Sequence, residues 1–184
     1  MLFRSSKGPL EPDDPWGGYA EDQIGLMSHL GIDRFHVLGC CIGCSYALRL
    51  IQRAPQRVAA AVIEQPIGIS DENRSVLAQN LYGRWAEELP KKRPELQADA
   101  VQAFGKKMFA GDFVFSVTRE FVKSCATPMI VMPGNNLDHP RAIGNEIAAL
   151  APNSEIIPEW RQPPELVPPA VARIKTFLAA HTPE

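Results

Sequence analysis

The sequence predicts an α/β fold, a parallel sheet of about four strands flanked by helices. Three observations carry this. Apolar runs of strand length at 58–63 and 129–132 show little polar alternation, as strands covered on both faces do. Stretches with helical spacing of apolar residues separate the runs. Finally, Gly39-Cys40-Cys41-Ile42-Gly43 joins a short apolar run at 34–38 directly to an amphipathic stretch at 44–53. A strand that turns into a helix within so few residues leaves no room for Cβ atoms, which is what glycine supplies.

Taken in order, residues 1–15 are rich in Ser, Gly, Pro and Asp and read as an irregular lead-in. Over 18–30 the positions Ile24, Leu26, Met27 and Leu30 follow helical spacing, and Gly31 supplies the stop. The strand at 34–38 and the glycine turn come next. Ala47, Leu48, Leu50 and Ile51 then form the apolar face of a helix ended by Ala54-Pro55. After the strand at 58–63, residues 71–125 break the alternation with helical patterns at 76–88, 95–109 and 112–123, Pro90 and Pro94 separating the first two. This predicts an all-helical insertion. A strand at 129–132, a loop at 133–140, a helix at 141–150, a short strand at 155–157 and a last helix at 169–180 complete the chain. Strands alternating with helices imply right-handed parallel crossovers.

With 184 residues, 45% of them hydrophobic, the chain is long enough for one domain with a real core. A net charge of −2 argues against nucleic-acid or anionic-membrane partners, which call for a clustered basic excess. The apolar runs are too short to span a bilayer, and the N-terminus lacks a secretory h-region. Three of the four cysteines crowd into 40–44, where they close no useful disulfide loop, so a reducing cytoplasm is the expected location. Zinc held by Cys40, Cys41, Cys44 and Cys125 is disfavoured, because adjacent cysteine side chains diverge. No metal and no cofactor are expected.

Glycine two before and two after Cys41 is the nucleophile-elbow spacing, with sulfur in place of the serine hydroxyl. On these residues the chain resembles the α/β-hydrolase superfamily in a Cys-nucleophile, G-x-C-x-G form. The resemblance runs from about Trp16 to Thr182 and includes GIDRFHVLGCCIGCSYALRLIQRAPQRVAAAVI and TPMIVMPGNNLDHP. It implies that 71–125 is a cap over the active site and that the strands normally preceding the nucleophile strand are missing. The chain is therefore expected to be truncated at its N-terminus or to be a reduced form.

The resemblance also assigns roles. Cys41 is the nucleophile, and the Ile42 N–H is the one oxyanion donor that can be assigned. The family's acid position reads Asn135-Asn136, with Asp138 the nearest carboxylate, and Glu64 offers another acid. Asn136 can orient a neutral imidazole, as in Cys-His-Asn enzymes. Where the family's base belongs, the chain reads Glu159-Trp160-Arg161-Gln162 without histidine. His139 is the candidate base, because it alone among the four histidines sits on a loop at the carboxyl end of a strand. The helix start is expected to lower the Cys41 thiol pKa. Cys40 and Cys44 are read as serving packing or modulation.

Three functions stay open. The first is hydrolysis of a small-molecule ester, thioester or lactone through Cys41. The second is a catalytically degenerate hydrolase-like domain that binds a small molecule or a partner. The third is a thiol redox protein using Cys41-Ile42-Gly43-Cys44, a C-x-x-C. Aromatic residues of the insertion, among them Tyr82, Trp85, Phe104 and Phe115, are either pocket lining or plain core. Gly43→Val is expected to damage folding more than Cys41→Ser. Without its flanking strands, the apolar edge at 34–38, with Phe35, Val37 and Leu38, is expected to join a homodimer or a separate partner.

Overall fold

A computed structural model describes residues 13–75, 77 and 83–182. Of the helical pattern expected over 76–88, residues 76 and 78–82, Tyr82 among them, fall outside the described residues, and nothing is described of the Trp85 side chain. Four parallel strands form one sheet in the order β1-β2-β3-β4: β1 (Phe35–Cys40), β2 (Val58–Glu64), β3 (Met129–Met132) and β4 (Ser154–Ile156). In the register, Gly39 lies beside Ile63, and Ile63 beside Val131. Each sequence-predicted strand is present, shifted at its ends by two residues or fewer.

The helices are α1 (Pro15–His29), α2 (Ile42–Arg53), α3 (Arg84–Lys92), α4 (Ala98–Phe109), α5 (Arg119–Ser124), α6 (Arg141–Leu150) and α7 (Val167–Ala180). The first starts earlier than its apolar spacing suggests. The Asp14 carboxylate accepts the Gly17 N–H at 3.0 Å and Pro15 occupies the first turn, a strong N-terminal signal. Gly31, at φ 68°, closes the other end. The expected helix at 112–123 shrinks to α5, capped by Thr118, whose hydroxyl accepts the Phe121 N–H at 3.2 Å. Ahead of it, Phe113 and Phe115 adopt φ of 59° and 66°, which no helix contains. α3 runs through position 90 instead of stopping before it, since proline in a last turn removes a single backbone bond.

Side-chain alternation splits the core into two layers. Ala61, Ile63, Met129 and Val131 meet α2, α5 and α6 on one face. Ala60, Val62, Ile130 and Met132 meet Phe177 and Ala170 of α7 on the other. The Trp16 indole N–H donates to the Met108 carbonyl at 2.9 Å, which ties α1 to α4. Trp16, Phe104 and Met108 then pack on Ile42 and Tyr46 of α2, so that α4 lies over the start of that helix. β1 ends the sheet. Among the described residues it pairs only with β2, and Leu38 on it is 58% exposed. No helix among the described residues is long and apolar enough to cross a membrane.

The glycine turn corrects one expectation. A Cβ on Gly39 would stand 2.3 Å from the Gly43 carbonyl oxygen and 2.7 Å from the Cys44 nitrogen, whereas a Cβ on Gly43 would meet nothing within 4 Å. Gly43 is thus the backbone against which Gly39 closes and tolerates a side chain itself. Gly39→Ala should accordingly lower stability by about 1–3 kcal/mol, the usual cost of overpacking. Gly43→Ala should leave it unchanged or raise it by up to about 1 kcal/mol through helix propensity. Denaturant melts of the two variants check this, and equal destabilisation would contradict the close approach at Gly39.

Candidate active site

Cys41 is the hinge between β1 and α2. Its φ of 58° and ψ of −123° are sterically costly for a residue with a Cβ, by roughly 1–3 kcal/mol, and persist because neighbours over-determine them. The Cys41 N–H donates to the Glu64 carbonyl at 3.0 Å, and its own carbonyl accepts the Cys44 N–H at 3.0 Å. The side chain is half-buried against the cluster of Ile67, Ile69 and Leu77. Ile42 and Phe115 touch both this cluster and the one around Trp16. The sulfur therefore has an apolar surround at the start of a helix.

That surround reverses the expected electrostatics. Burial pushes the Cys41 thiol above its ordinary pKa; the Ile42 N–H pulls the other way, and Cys40 and the Asp138 carboxylate add to the rise. A helix start contributes only partial charge, which desolvation of a half-buried thiolate outweighs. Cys44 is wholly buried, and its thiol donates to the carbonyls of Gly39 and Glu64, both at 3.1 Å. It pins the elbow from the core side, which fits packing better than C-x-x-C redox chemistry. Cys40 is the exposed thiol, 3.7 Å from Glu64 Oε1 and accepting the Gln65 amide at 3.4 Å. The Glu64 carboxylate is thereby placed on Cys40, and among the described residues no hydrogen bond joins that carboxylate to the Cys41 thiol.

The loop after β3 carries the candidate base. Asn136 Oδ1 accepts the His139 backbone N–H at 2.9 Å and also lies 2.9 Å from His139 Nδ1. An oxygen that already accepts one N–H is an acceptor, so Nδ1 carries the proton and Nε2 holds a free lone pair. Nε2 is buried and has no hydrogen-bond partner among the described residues. Burial lowers the His139 pKa, Arg161 lowers it further and Asp138 opposes, so the ring is neutral at pH 7. The Asn136–His139 pair expected from the sequence is thus formed, while among the described residues no hydrogen bond links it to Cys41. Asp138 is exposed and acts on both groups through its charge.

Three residues that the sequence did not flag bind these loops together. Asn73, fully buried, donates to the carbonyls of Gly68 and Leu137, each at 2.8 Å, and accepts the Ser70 N–H at 2.9 Å. Leu137 lies between Asn136 and Asp138, so Asn73 fixes the His139 loop against the segment beside the elbow. Gln65, at φ 40°, bridges Cys40 and the Arg161 guanidinium. Arg161 also donates to Asn135 at 2.6 Å. The only sequence signal for Arg161 is its position, five residues beyond the end of β4, where a base was sought. A cavity of about 410 Å³ opens beside this loop, lined by Glu72, Asn135, Asn136, Leu137, Pro140 and Arg141.

Alkylation reads out this arrangement. Under native conditions iodoacetamide should modify Cys40 and Cys41 and spare the buried Cys44 and Cys125. Because the thiolate is the reactive form and the Cys41 pKa is raised, its rate should keep climbing as pH passes the ordinary thiol range. A plateau at neutral pH, measured by peptide mass spectrometry, would contradict the burial argument.

Comparison with known proteins places the fold. Residues 6–146 match the family described as alpha/beta hydrolase fold. Among solved structures, the chain is similar to a meta-cleavage product hydrolase (CumD) from Pseudomonas fluorescens IP01, with 15% identity, a TM-score of 0.60 and coverage of 96% of this chain and 75% of that one. It is similar also to olei00960, a hydrolase from Oleispira antarctica, with 14% identity, a TM-score of 0.63 and coverage of 92% and 75%. Est816, an N-acyl homoserine lactone degrading enzyme, matches with 20% identity, a TM-score of 0.55 and coverage of 77% and 65%. These are likenesses of fold, and with the match over most of its length the chain belongs to the alpha/beta hydrolase fold family.

Proposed function

We propose that the protein is a thiol acyl hydrolase acting on an ester, thioester or lactone through Cys41. The observation that carries this reading is the Cys41 backbone, held at φ 58° on a strand-to-helix turn with the Ile42 N–H beside its sulfur. In the reaction, the Cys41 sulfur attacks the acyl carbon while His139 Nε2 takes the thiol proton. The carbonyl electron pair moves onto oxygen, where the Ile42 N–H stabilises it. Collapse expels the alcohol or thiol leaving group, which takes up the proton, and water then hydrolyses the Cys41 thioester. Asn136 keeps the imidazole in the required tautomer. The segment of α3, α4 and α5 serves as a cap, and the apolar groups around Ile67, Ile69 and Phe115 receive the acyl chain. A reducing compartment would keep the thiols free, as all four are here.

A second reading, a hydrolase-like domain that binds without turnover, is favoured by one observation. His139 donates to Asn136 and makes no hydrogen bond to Cys41 among the described residues, so the proton transfer needs the loop to close by some distance. Kinetics on p-nitrophenyl valerate separate the two. The hydrolase reading expects turnover that rises with pH, collapses in Cys41→Ala and falls by roughly 100- to 10,000-fold in His139→Ala. Binding of the ester without release of p-nitrophenol would favour the second reading.

A further inference from the structure

Several arginines of the fold are matched with carboxylates, among them Arg49 with Asp14, Arg119 with Glu146 and Arg173 with Glu155. Arg57, next to the start of β2, instead donates to the carbonyls of Ile32 and Asp33 and lies over the Phe35 ring, a structural tie at the amino end of the sheet. Arg161 also lacks a carboxylate among the described residues, and it stands at the opposite end, beside the elbow. Its guanidinium donates to two neutral amide oxygens, Gln65 Oε1 at the end of β2 and Asn135 Oδ1 beyond β3. It also lies over the Trp160 ring, 5.2 Å from the centroid, and the Trp160 indole N–H is itself anchored on the Pro133 carbonyl at 3.0 Å. Arg161 forms no ion pair among the described residues. A guanidinium fixed on three sides by neutral groups keeps its full charge and loses little freedom when it meets an anion. It stands at the carboxyl end of the sheet, where open α/β folds take their ligands.

Its charge also reaches the reactive groups. Arg161 opposes the rise in the Cys40 pKa and deepens the fall in that of His139. Gln65, which aims Arg161, is a residue whose φ of 40° is strained, and the same amide contacts Cys40 next to the nucleophile. Backbone strain held in place by its surroundings gathers at ligand clamps.

We propose that Arg161 is an anion subsite that takes a carboxylate carried on the substrate away from the scissile bond, a specificity that rests on the acyl-hydrolase reading. The planar fork pairs with one carboxylate through parallel N–H···O bonds. Glu64, which contacts Cys40, and the exposed Asp138 lie on the same rim and disfavour a doubly charged phosphate. The substrate class is therefore a half-ester or half-thioester of a dicarboxylic acid, or an acyl compound of equivalent charge.

The test compares mono-p-nitrophenyl glutarate with p-nitrophenyl valerate, which differ in a terminal carboxylate. The kcat/KM ratio should favour the glutarate ester by roughly tenfold or more, a preference of charge-assisted pairing. That ratio should collapse in Arg161→Gln, fall partway in Arg161→Lys, which keeps the charge and loses the fork, and hold in Arg173→Gln. Turnover of both esters with no preference, or a preference that survives Arg161→Gln, overturns the subsite and leaves the hydrolase reading standing. A binding arm works without turnover. At fixed ionic strength, sodium glutarate should raise the melting temperature of the unmodified protein, and Arg161→Gln should lose the rise. If neither ester is hydrolysed, the hydrolase reading fails, and this arm alone decides the subsite: no rise overturns it. An equal rise with inorganic phosphate overturns the carboxylate assignment.

Discussion

One backbone contact governs the rest of this structure: the end of β1 runs against the first turn of α2 with no space for a Cβ at residue 39. The Gly43 carbonyl occupies the position that a Gly39 side chain would need. Holding the strand so close to the helix forces the reversal into the residues between them, and Cys41 absorbs it at φ 58°. Hydrogen bonds from Cys41 and Cys44 to the Glu64 carbonyl then lock the turn onto β2. The consequence is a side chain lifted off the sheet beside the first free N–H of a helix. Strain, position and donor are three aspects of one geometric requirement.

The chemistry follows from what surrounds the lifted side chain. Apolar groups from β2's exit loop, from residue 77 and from Phe115 close around the sulfur, and desolvation of a thiolate exceeds what a helix start returns. A thiol whose pKa is raised and a neutral histidine on the facing loop suit, on the proposed reading, a nucleophile deprotonated during attack rather than a standing thiolate. The loop of the candidate base, His139, is held through Asn73 rather than through Cys41 itself, so the two halves of the candidate site are coupled by a buried amide and two backbone carbonyls. Loss of that strut would alter the relation between Cys41 and His139 without touching either.

Much of this was legible in the sequence, for identifiable reasons. Continuous apolar runs at β2 and β3 can only be strands covered on both faces, and the glycines around Cys41 mark the elbow by spacing alone. Asn136 and His139 are three residues apart in a loop, close enough for their contact to follow from local geometry. What the sequence hid depends on distant contacts or on unusual backbone. The loop at 112–118 has helical spacing, yet Phe113 and Phe115 take left-handed φ because tertiary packing holds their rings in two clusters. The Asn73 bridge to Leu137 and the Arg161 bridge to Gln65 span long stretches of chain, and no local pattern announces them. Which of Gly39 and Gly43 needs to be glycine is likewise a matter of which backbone lies over which Cα.

The most direct test of this account is to catch the acyl group on the enzyme. The protein would be mixed with p-nitrophenyl valerate at alkaline pH, quenched in acid within one turnover and digested for peptide mass spectrometry. The account predicts a valeryl increment on Cys41, absent from Cys40, Cys44 and Cys125. Release of p-nitrophenol with no acyl increment on Cys41, or with the increment on another residue, would contradict it.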